Sequence, residues 1–314
     1  MPNHKPELEH QPEPSLSPER EASSPAVWDD AEATRVNALK LVQATYRPGL
    51  LDVFPDFFIA GPQRTGTSWL NANLKFHPAL QMSEPKELHF FNYLDRKDFP
   101  KFKSDELDWY LDFFRLSASD LEVRDERMMR LYGEPFRPLR RGESTASSAT
   151  LSPAVIDEVL LLNPQIKIVL MLRDPVERAW SHVKKDLGRR AEGISNVPEK
   201  KMLRFFANAD QRARADYQRM IDNWQARLRP GHLFIGLFED IAQRPAELLV
   251  DLFRFLGVAA DQKYIHAKKR DSVQNASEGA AIPPDIRAHL EELLATERQA
   301  YRALRANILA VRGP

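Results

Sequence analysis

The residues best suited to chemistry lie in one stretch: Phe57-Phe58-Ile59-Ala60-Gly61-Pro62-Gln63-Arg64-Thr65-Gly66-Thr67-Ser68-Trp69-Leu70. An apolar strand runs into a tight glycine-bearing loop, and the loop opens directly into a helix. Such a turn aims several backbone N–H groups and the positive end of a helix dipole at one spot, which makes an anion site. The spacing Gly61-x-x-x-x-Gly66-x-Ser68 is that of a Walker A loop, but Thr67 stands where the loop lysine of an NTPase would reach the β- and γ-phosphates. The nearest cation is Arg64, inside the loop. The pattern predicts a seat for a phosphate-like group, wired differently from an ATPase. The bland alternative is an ordinary strand-to-helix turn with a Thr/Ser cap.

Two more stretches carry candidate chemistry. In Ile168-Val169-Leu170-Met171-Leu172-Arg173-Asp174-Pro175, an arginine ends a buried strand, and Ser181 follows on the next helix. Ligands of open α/β sheets bind outside the carboxyl ends of the strands, so Arg173 suits a direct phosphate contact or, equally, a surface ion pair. Asp174 is accounted for as a helix cap, and Arg178 is equally well a solvated helix residue. In Glu84-Pro85-Lys86-Glu87-Leu88-His89-Phe90-Phe91, a carboxylate beside paired aromatics could have a raised pKa and act as a base. The alternative there is a charged turn ahead of an apolar anchor, with His89 a packing residue. Leu233–Phe238 followed by Glu239-Asp240 resembles a Walker B strand and favours a nucleotide hydrolase. No H-E-x-x-H is present, and Gly66-Thr67-Ser68-Trp69-Leu70 lacks the second glycine of a nucleophile elbow.

Composition narrows the classes further. With 45 basic and 45 acidic residues the formal net charge is zero, so bulk electrostatics supplies no argument for a nucleic-acid or membrane-surface partner. Any anion site must come from local placement of arginine and lysine. The absence of cysteine excludes disulfides, thiolate metal sites and Cys nucleophiles. No apolar run approaches the roughly 20 residues of a membrane-spanning helix, and the acidic, proline-rich start does not read as a signal peptide. The expectation is a soluble, cytoplasmic protein.

The elements that must position these residues are legible in part. Residues 1–27 hold six prolines and five glutamates and are expected to form a disordered tail. Residues 28–53 read as a helical lead-in, with Val36, Leu39 and Val42 at helical spacing, and the main domain is expected over 54–314. Phe57–Ala60, Ile166–Leu172 and Leu233–Phe238 read as buried parallel strands. Ser152-Pro153 and Asp174-Pro175 each place a cap before a first-turn proline. Tyr217, Ile221, Trp224 and Leu228 share one helix face, a further helix spans about Pro245 to Leu256, and a last one spans about Pro284 to Ile308. Residues 98–140 show no clear organisation. The sum is an α/β fold: a single P-loop-like domain with a mostly parallel central sheet flanked by helices.

These motifs, in this order, resemble those of the PAPS-dependent sulfotransferases, which use 3′-phosphoadenosine 5′-phosphosulfate, and are closest to the carbohydrate (heparan-type) and bacterial members. The segment Gly61–Ser68 resembles the family's 5′-phosphosulfate loop. Leu172-Arg173-Asp174-Pro175-Val176-Glu177-Arg178-Ala179-Trp180-Ser181 resembles its 3′-phosphate motif, and Lys86-Glu87-Leu88-His89-Phe90-Phe91 the segment that carries its catalytic glutamate. The resemblance covers about residues 56 to 305. It implies that Glu87 takes the acceptor proton and that Arg64 stabilises the leaving phosphate. The cofactor would be held by Arg64, Thr65, Gly66, Thr67, Ser68 and Trp69, by Arg173 and Ser181, and by Lys269 and Arg270 in a basic covering stretch. It implies sulfuryl transfer from PAPS, without a metal, to a hydroxyl or amine on a glycan, lipid headgroup or small metabolite, with no nucleic acid and no membrane span. The family loop often carries lysine where this chain has Arg64, which can still bind phosphosulfate oxygens through a fixed fork. The competing readings are a P-loop kinase or NTPase, and a non-catalytic nucleotide-binding module.

Overall fold

The computed structural model describes residues 26–272 and 281–312. Five strands, β1 (Phe57–Gly61), β2 (Leu80–Met82), β3 (Arg140–Glu143), β4 (Lys167–Leu172) and β5 (Leu233–Leu237), form one sheet in the order β2-β3-β1-β4-β5. Every pairing is parallel, with Ile59 opposite Val169 and Val169 opposite Phe234. The α/β architecture is the one the strand and helix patterns predict.

Because side chains alternate along a strand, the two sheet faces bury different residues. Phe58, Ala60, Ile168, Leu170 and Leu172 pack with the Pro153–Leu162 and Tyr217–Gln225 helices on one face. Phe57, Ile59, Val169 and Met171 pack with the Thr67–Leu74 and Pro245–Leu256 helices on the other. The helix that leaves β1 thus covers one face, and the helix that precedes β5 covers the opposite one. Such a switch in direction opens a crevice at the carboxyl ends of β1 and β4. All three candidate stretches lie along that edge.

Several expectations need correction. β2 and β3 were not foreseen: β2 is three residues long, and β3 reads Arg-Arg-Gly-Glu, with no apolar side chain to mark it. Gly142 is needed in β3 because a Cβ there would lie 2.2 Å from Cζ of Phe57 on the neighbouring strand. The stretch 98–140 is organised after all, around a Leu107–Leu111 helix and an Ala118–Tyr132 helix. The second has a capping box between Ser117 and Asp120 and a left-handed Gly133 at its end. The first helix spans Ala26–Asn37 and stops short of Leu39 and Val42, because the amides of Lys40, Leu41 and Val42 donate to the Glu158 carboxylate. The expected last helix is two, Pro284–Leu293 and Ala295–Arg312, broken at the buried Leu294 with neither glycine nor proline to signal it. Of the tail expected over 1–27, residues 1–25 lie outside the described residues.

Candidate active site

The loop after β1 is closed by its own hydroxyl: the fully buried Thr65 donates from Oγ1 to the Pro62 carbonyl at 2.6 Å. Gly66 follows with φ of 96° and serves as the N-cap of the Thr67–Leu74 helix. It has no side chain to cap that helix, so the amides of Thr67 and Ser68 are left for an outside acceptor, which disfavours the plain Thr/Ser-capped turn. A Cβ at Gly66 would lie 2.2 Å from Cδ1 of Ile241. Gly66→Ala is therefore expected to destabilise the fold by about 1–3 kcal/mol. Urea unfolding checks this, and an unchanged midpoint would contradict it.

The β1 loop and the end of β4 meet in the crevice. Arg64 donates from Nε to Ser181 Oγ at 2.9 Å, and Arg173 donates from Nη1 to the Arg64 carbonyl at 3.2 Å. The Arg173 guanidinium lies 4.2 Å from the centre of the Phe238 ring, a cation–π contact. Tyr217 donates its hydroxyl to the Arg173 carbonyl at 2.7 Å, and burial pushes that phenol up to about 12, so it remains a donor. Burial and then the charge of Arg173 make the protonated Arg64 less favourable, and burial does the same to Arg173. Two desolvated guanidiniums side by side are relieved by an anion placed between them.

A third arginine adds to that potential. Arg178 is not a solvated helix residue but is fully buried, bonded to His182 Nδ1 at 3.4 Å and the Gln211 carbonyl at 3.3 Å. Its Nε has no partner among the described residues, and burial lowers its pKa to about 10. Asp174 caps its helix as expected, accepting from the amides of Val176 and Glu177. The crevice thus combines a helix start without a side-chain cap with Arg64 and Arg173, both largely withdrawn from water, a donor set suited to a polyanion.

The glutamate segment lies against the same edge. The Glu87 amide donates to the Ser144 carbonyl just past β3, and His89 Nδ1 lies 3.1 Å from Ser147 Oγ. Glu87 and His89 both adopt left-handed backbone, with φ of 65° and 61°. Such conformations are held only when the surroundings over-determine them. The anchors are Phe90 and Phe91, whose rings pack on Tyr110 at 4.7 and 5.2 Å, while Tyr110 donates to the buried Glu143 carboxylate at 2.5 Å.

The raised pKa expected for Glu87 is overturned. Burial does push the carboxyl up, but the hydrogen bond from His89 and the charge of Lys86 outweigh it and hold the group at about 2. Lys86 Nζ lies 2.5 Å from Oε1, and His89 Nε2 lies 3.4 Å from Oε2. The paired phenylalanines point into the core, so the carboxylate faces Lys86 and His89, not aromatics. Because the folded value lies below the ordinary 4.5, this group adds stability above that pH, and the contribution is lost as pH falls toward about 2. Lys86→Met is expected to move the acid limb of any Glu87-dependent rate upward, toward the ordinary carboxylate range. A pH–rate profile checks this, and an unmoved limb would contradict it.

Sequence reasoning placed the remaining candidates less well. Trp69 donates its backbone amide to the Gly66 carbonyl and its indole Nε1 to the Arg270 carbonyl, both at 2.9 Å. It therefore ties the loop helix to the short Ala267–Arg270 helix. The Arg270 guanidinium pairs with Asp271, and the Lys269 carbonyl accepts from Asn73 and Ser272. Residues 273–280, which continue this stretch, lie outside the described residues. Glu239 and Asp240, which resemble a Walker B end, serve the fold: Asp240 accepts from the Leu237 amide and Glu239 from the Tyr301 hydroxyl. Sequence reasoning missed Tyr217 as the support of Arg173. It also missed Arg214, which donates to Gln63 Oε1 of the loop at 2.9 Å and sits in a stretch with no motif to mark it.

A parallel α/β sheet with a phosphate-type loop after β1 and an arginine–serine pair after β4 defines a group-transfer protein of the P-loop-like class. The chain belongs to the sulfotransferase family, whose family model matches residues 55–262. It is 25% identical over 235 residues to the bifunctional heparan sulfate N-deacetylase/N-sulfotransferase 3 of Homo sapiens, covering 70% of this chain and 24% of that protein. The corresponding enzyme 2 of Homo sapiens gives 25% identity over 238 residues with the same coverage. The chain thus spans about a quarter of the length of these relatives. Among solved structures, a sulfotransferase from Alicyclobacillus acidocaldarius is similar, with a TM-score of 0.50 and 25% identity, covering 80% of this chain and 95% of that one. Among the described residues, no helix is long and apolar enough to cross a membrane, and no group of three or more His, Asp or Glu side chains is arranged to hold a metal ion.

Proposed function

We propose that the protein transfers a sulfuryl group from PAPS to a hydroxyl or amine acceptor, with a carbohydrate or a small hydroxylated molecule as the acceptor class. The observation that carries this reading is the junction of Arg64, Ser181 and Arg173, which joins the two phosphate motifs in one crevice. When bound, PAPS supplies an activated sulfuryl group whose S–O bond to the 5′-phosphate breaks as the acceptor oxygen or nitrogen bonds to sulfur. The chain's part is positioning and charge stabilisation, as in phosphoryl transfer. Glu87, already ionised, takes the acceptor proton. Arg64 and the amides of Thr67 and Ser68 at the start of the Thr67–Leu74 helix face the charge that grows on the leaving phosphate. Arg173 and Ser181 hold the 3′-phosphate. The main unit is proposed to extend over 54–314.

Calorimetry tests the donor side. The protein is expected to bind adenosine 3′,5′-bisphosphate more tightly than ATP, with no requirement for Mg²⁺. Binding of ATP only with Mg²⁺, and no binding of the bisphosphate, would replace this reading with a nucleotide hydrolase. Arg173→Ala is expected to weaken bisphosphate binding roughly ten- to a hundredfold, the usual range for a charge-assisted hydrogen bond. Binding of AMP, which lacks the 3′-phosphate, should barely change. Equal losses for both ligands would show damage to the fold instead of a lost phosphate contact.

A further inference from the structure

At the end of the sheet opposite the crevice, where the strands begin, lies a cavity of about 550 Å³. Its walls come from the Ala26–Asn37 helix, the approach to β1, the start of β3 and the turns that lead into β4 and β5. Asp56, on its wall, immediately precedes β1, whereas the phosphate-type loop follows that strand. The 5 residues of β1 separate the two, and a strand of that length spans about 16 Å. A molecule in this cavity is therefore clear of Arg64, Arg173 and Glu87.

One part of the lining is apolar: Leu51 with the buried Phe54 and Leu162. Three guanidiniums share the cavity, Arg35 from the first helix, Arg141 from β3 and Arg229 from the turn before β5. None of the three forms an ion pair among the described residues. Arg35 donates from Nε to the Leu161 carbonyl at 3.1 Å, and Arg141 from Nη1 to the Asp52 carbonyl at 3.0 Å. The Arg141 Nε is buried and has no partner among the described residues, and Arg229 is exposed. The carboxylates of the cavity are turned to the protein instead. Asp56 accepts from the Arg141 amide at 2.7 Å and pairs with Arg140 at 3.3 Å, and Glu32 accepts from the Leu51 amide at 3.3 Å. Asp52 Oδ2 lies over the Gly49 turn, 3.0 Å from where a Cβ on that glycine would stand.

We propose that this cavity is a second ligand site that takes an amphipathic organic anion, with an apolar ring system seated on Leu51, Phe54 and Leu162 and an acidic group held by Arg35, Arg141 and Arg229. The volume falls within the roughly 300–1,000 Å³ of sites for small organic ligands, which combine an apolar lining with a few orienting polar groups. Guanidiniums bonded only to backbone carbonyls keep their charge uncompensated, and an oxyanion supplies both the missing charge and acceptors for the forked N–H groups. The site stands apart from the sulfotransferase reading and does not depend on it.

The test uses two fluorescent probes with the same aromatic body, pyrenebutyrate, which carries a carboxylate, and pyrenebutanol, which carries a hydroxyl. The full chain is titrated into dilute dye with saturating adenosine 3′,5′-bisphosphate present, so that the crevice is occupied. Pyrenebutyrate is expected to bind saturably, about tenfold or more tighter than pyrenebutanol, the size of a hydrogen bond to a charged group. Arg141→Gln and Arg229→Gln should each weaken pyrenebutyrate binding by about that factor and leave pyrenebutanol and bisphosphate affinity unchanged. Arg229 is exposed, so its variant keeps the test open even where Arg141→Gln fails to fold. Equal affinity for the two dyes, unchanged pyrenebutyrate binding in Arg229→Gln, or displacement of the dye by the bisphosphate overturns the proposal. The dye pair and the variants report on the cavity whether or not the bisphosphate binds, so failure here is separate from failure of the sulfotransferase reading.

Discussion

Glu87→Gln is expected to lower turnover by at least about a hundredfold while affinity for adenosine 3′,5′-bisphosphate stays nearly unchanged. A positioned general base contributes about 10²–10⁴ in rate, and glutamine keeps the shape of the side chain while losing the ability to take a proton. The segment is held independently of that carboxylate, by the Glu87 amide on the Ser144 carbonyl and by Phe90 and Phe91 on Tyr110. The variant should therefore fold, and its loss should be chemical. The low pKa shapes the expectation further. A carboxylate at about 2 is ionised across the working range, so in the proposed reaction it would accept a proton as the acceptor's bond to sulfur forms, not deprotonate a free alcohol beforehand. Single-turnover kinetics with saturating donor measures the step directly. Near wild-type turnover in Glu87→Gln would remove it as the base, and His89, whose Nε2 lies 3.4 Å from the same carboxylate, would become the candidate.

Arg64→Ala is expected to lower both turnover and donor affinity. A preorganised donor to a developing oxyanion is worth about 2.7–4 kcal/mol, or roughly 10²–10³ in rate. Arg64 has two tasks in this structure. Its guanidinium lies in the crevice and bonds to Ser181, and its carbonyl holds Arg173. The carbonyl survives in Arg64→Ala, so Arg173 keeps that support and the measured loss belongs to the guanidinium. Arg64→Lys should retain part of the activity if positive charge alone is needed, and much less if the Nε bond to Ser181 orients the group. Comparing kcat and bisphosphate affinity across the three proteins separates these cases. An Arg64→Ala enzyme with normal turnover would assign leaving-group stabilisation to the helix N-terminus alone.

Local residue patterns specified much of this protein. The strand–loop–helix at Phe57–Leu74, the strand-end arginine at 173 with its capped helix, and the parallel α/β class were all readable because each depends on residues close in sequence. Tight turns, caps and buried apolar strands are local physics. The sequence also singled out Glu87, although it assigned the wrong environment to it. The aromatics adjacent in the chain point into the core, and the groups that set its pKa are Lys86 and His89, oriented by a left-handed backbone that no local pattern announces.

Only the tertiary structure decided what lies beside what. β3 carries no apolar signature and is a strand because β2 and β1 flank it, with Gly142 making room for Phe57. Arg178, equally well readable as a solvated helix residue, is fully buried, since helix periodicity does not reveal which neighbour covers a given face. The contacts of Arg64 with Ser181, of Tyr217 with Arg173 and of Arg214 with Gln63 span 117, 44 and 151 residues. Such pairings follow from strand order and from the switch in chain direction between β1 and β4. Residue types along the chain could name the chemistry of this crevice, but its assembly belongs to long-range packing, where each partner is chosen by the whole fold.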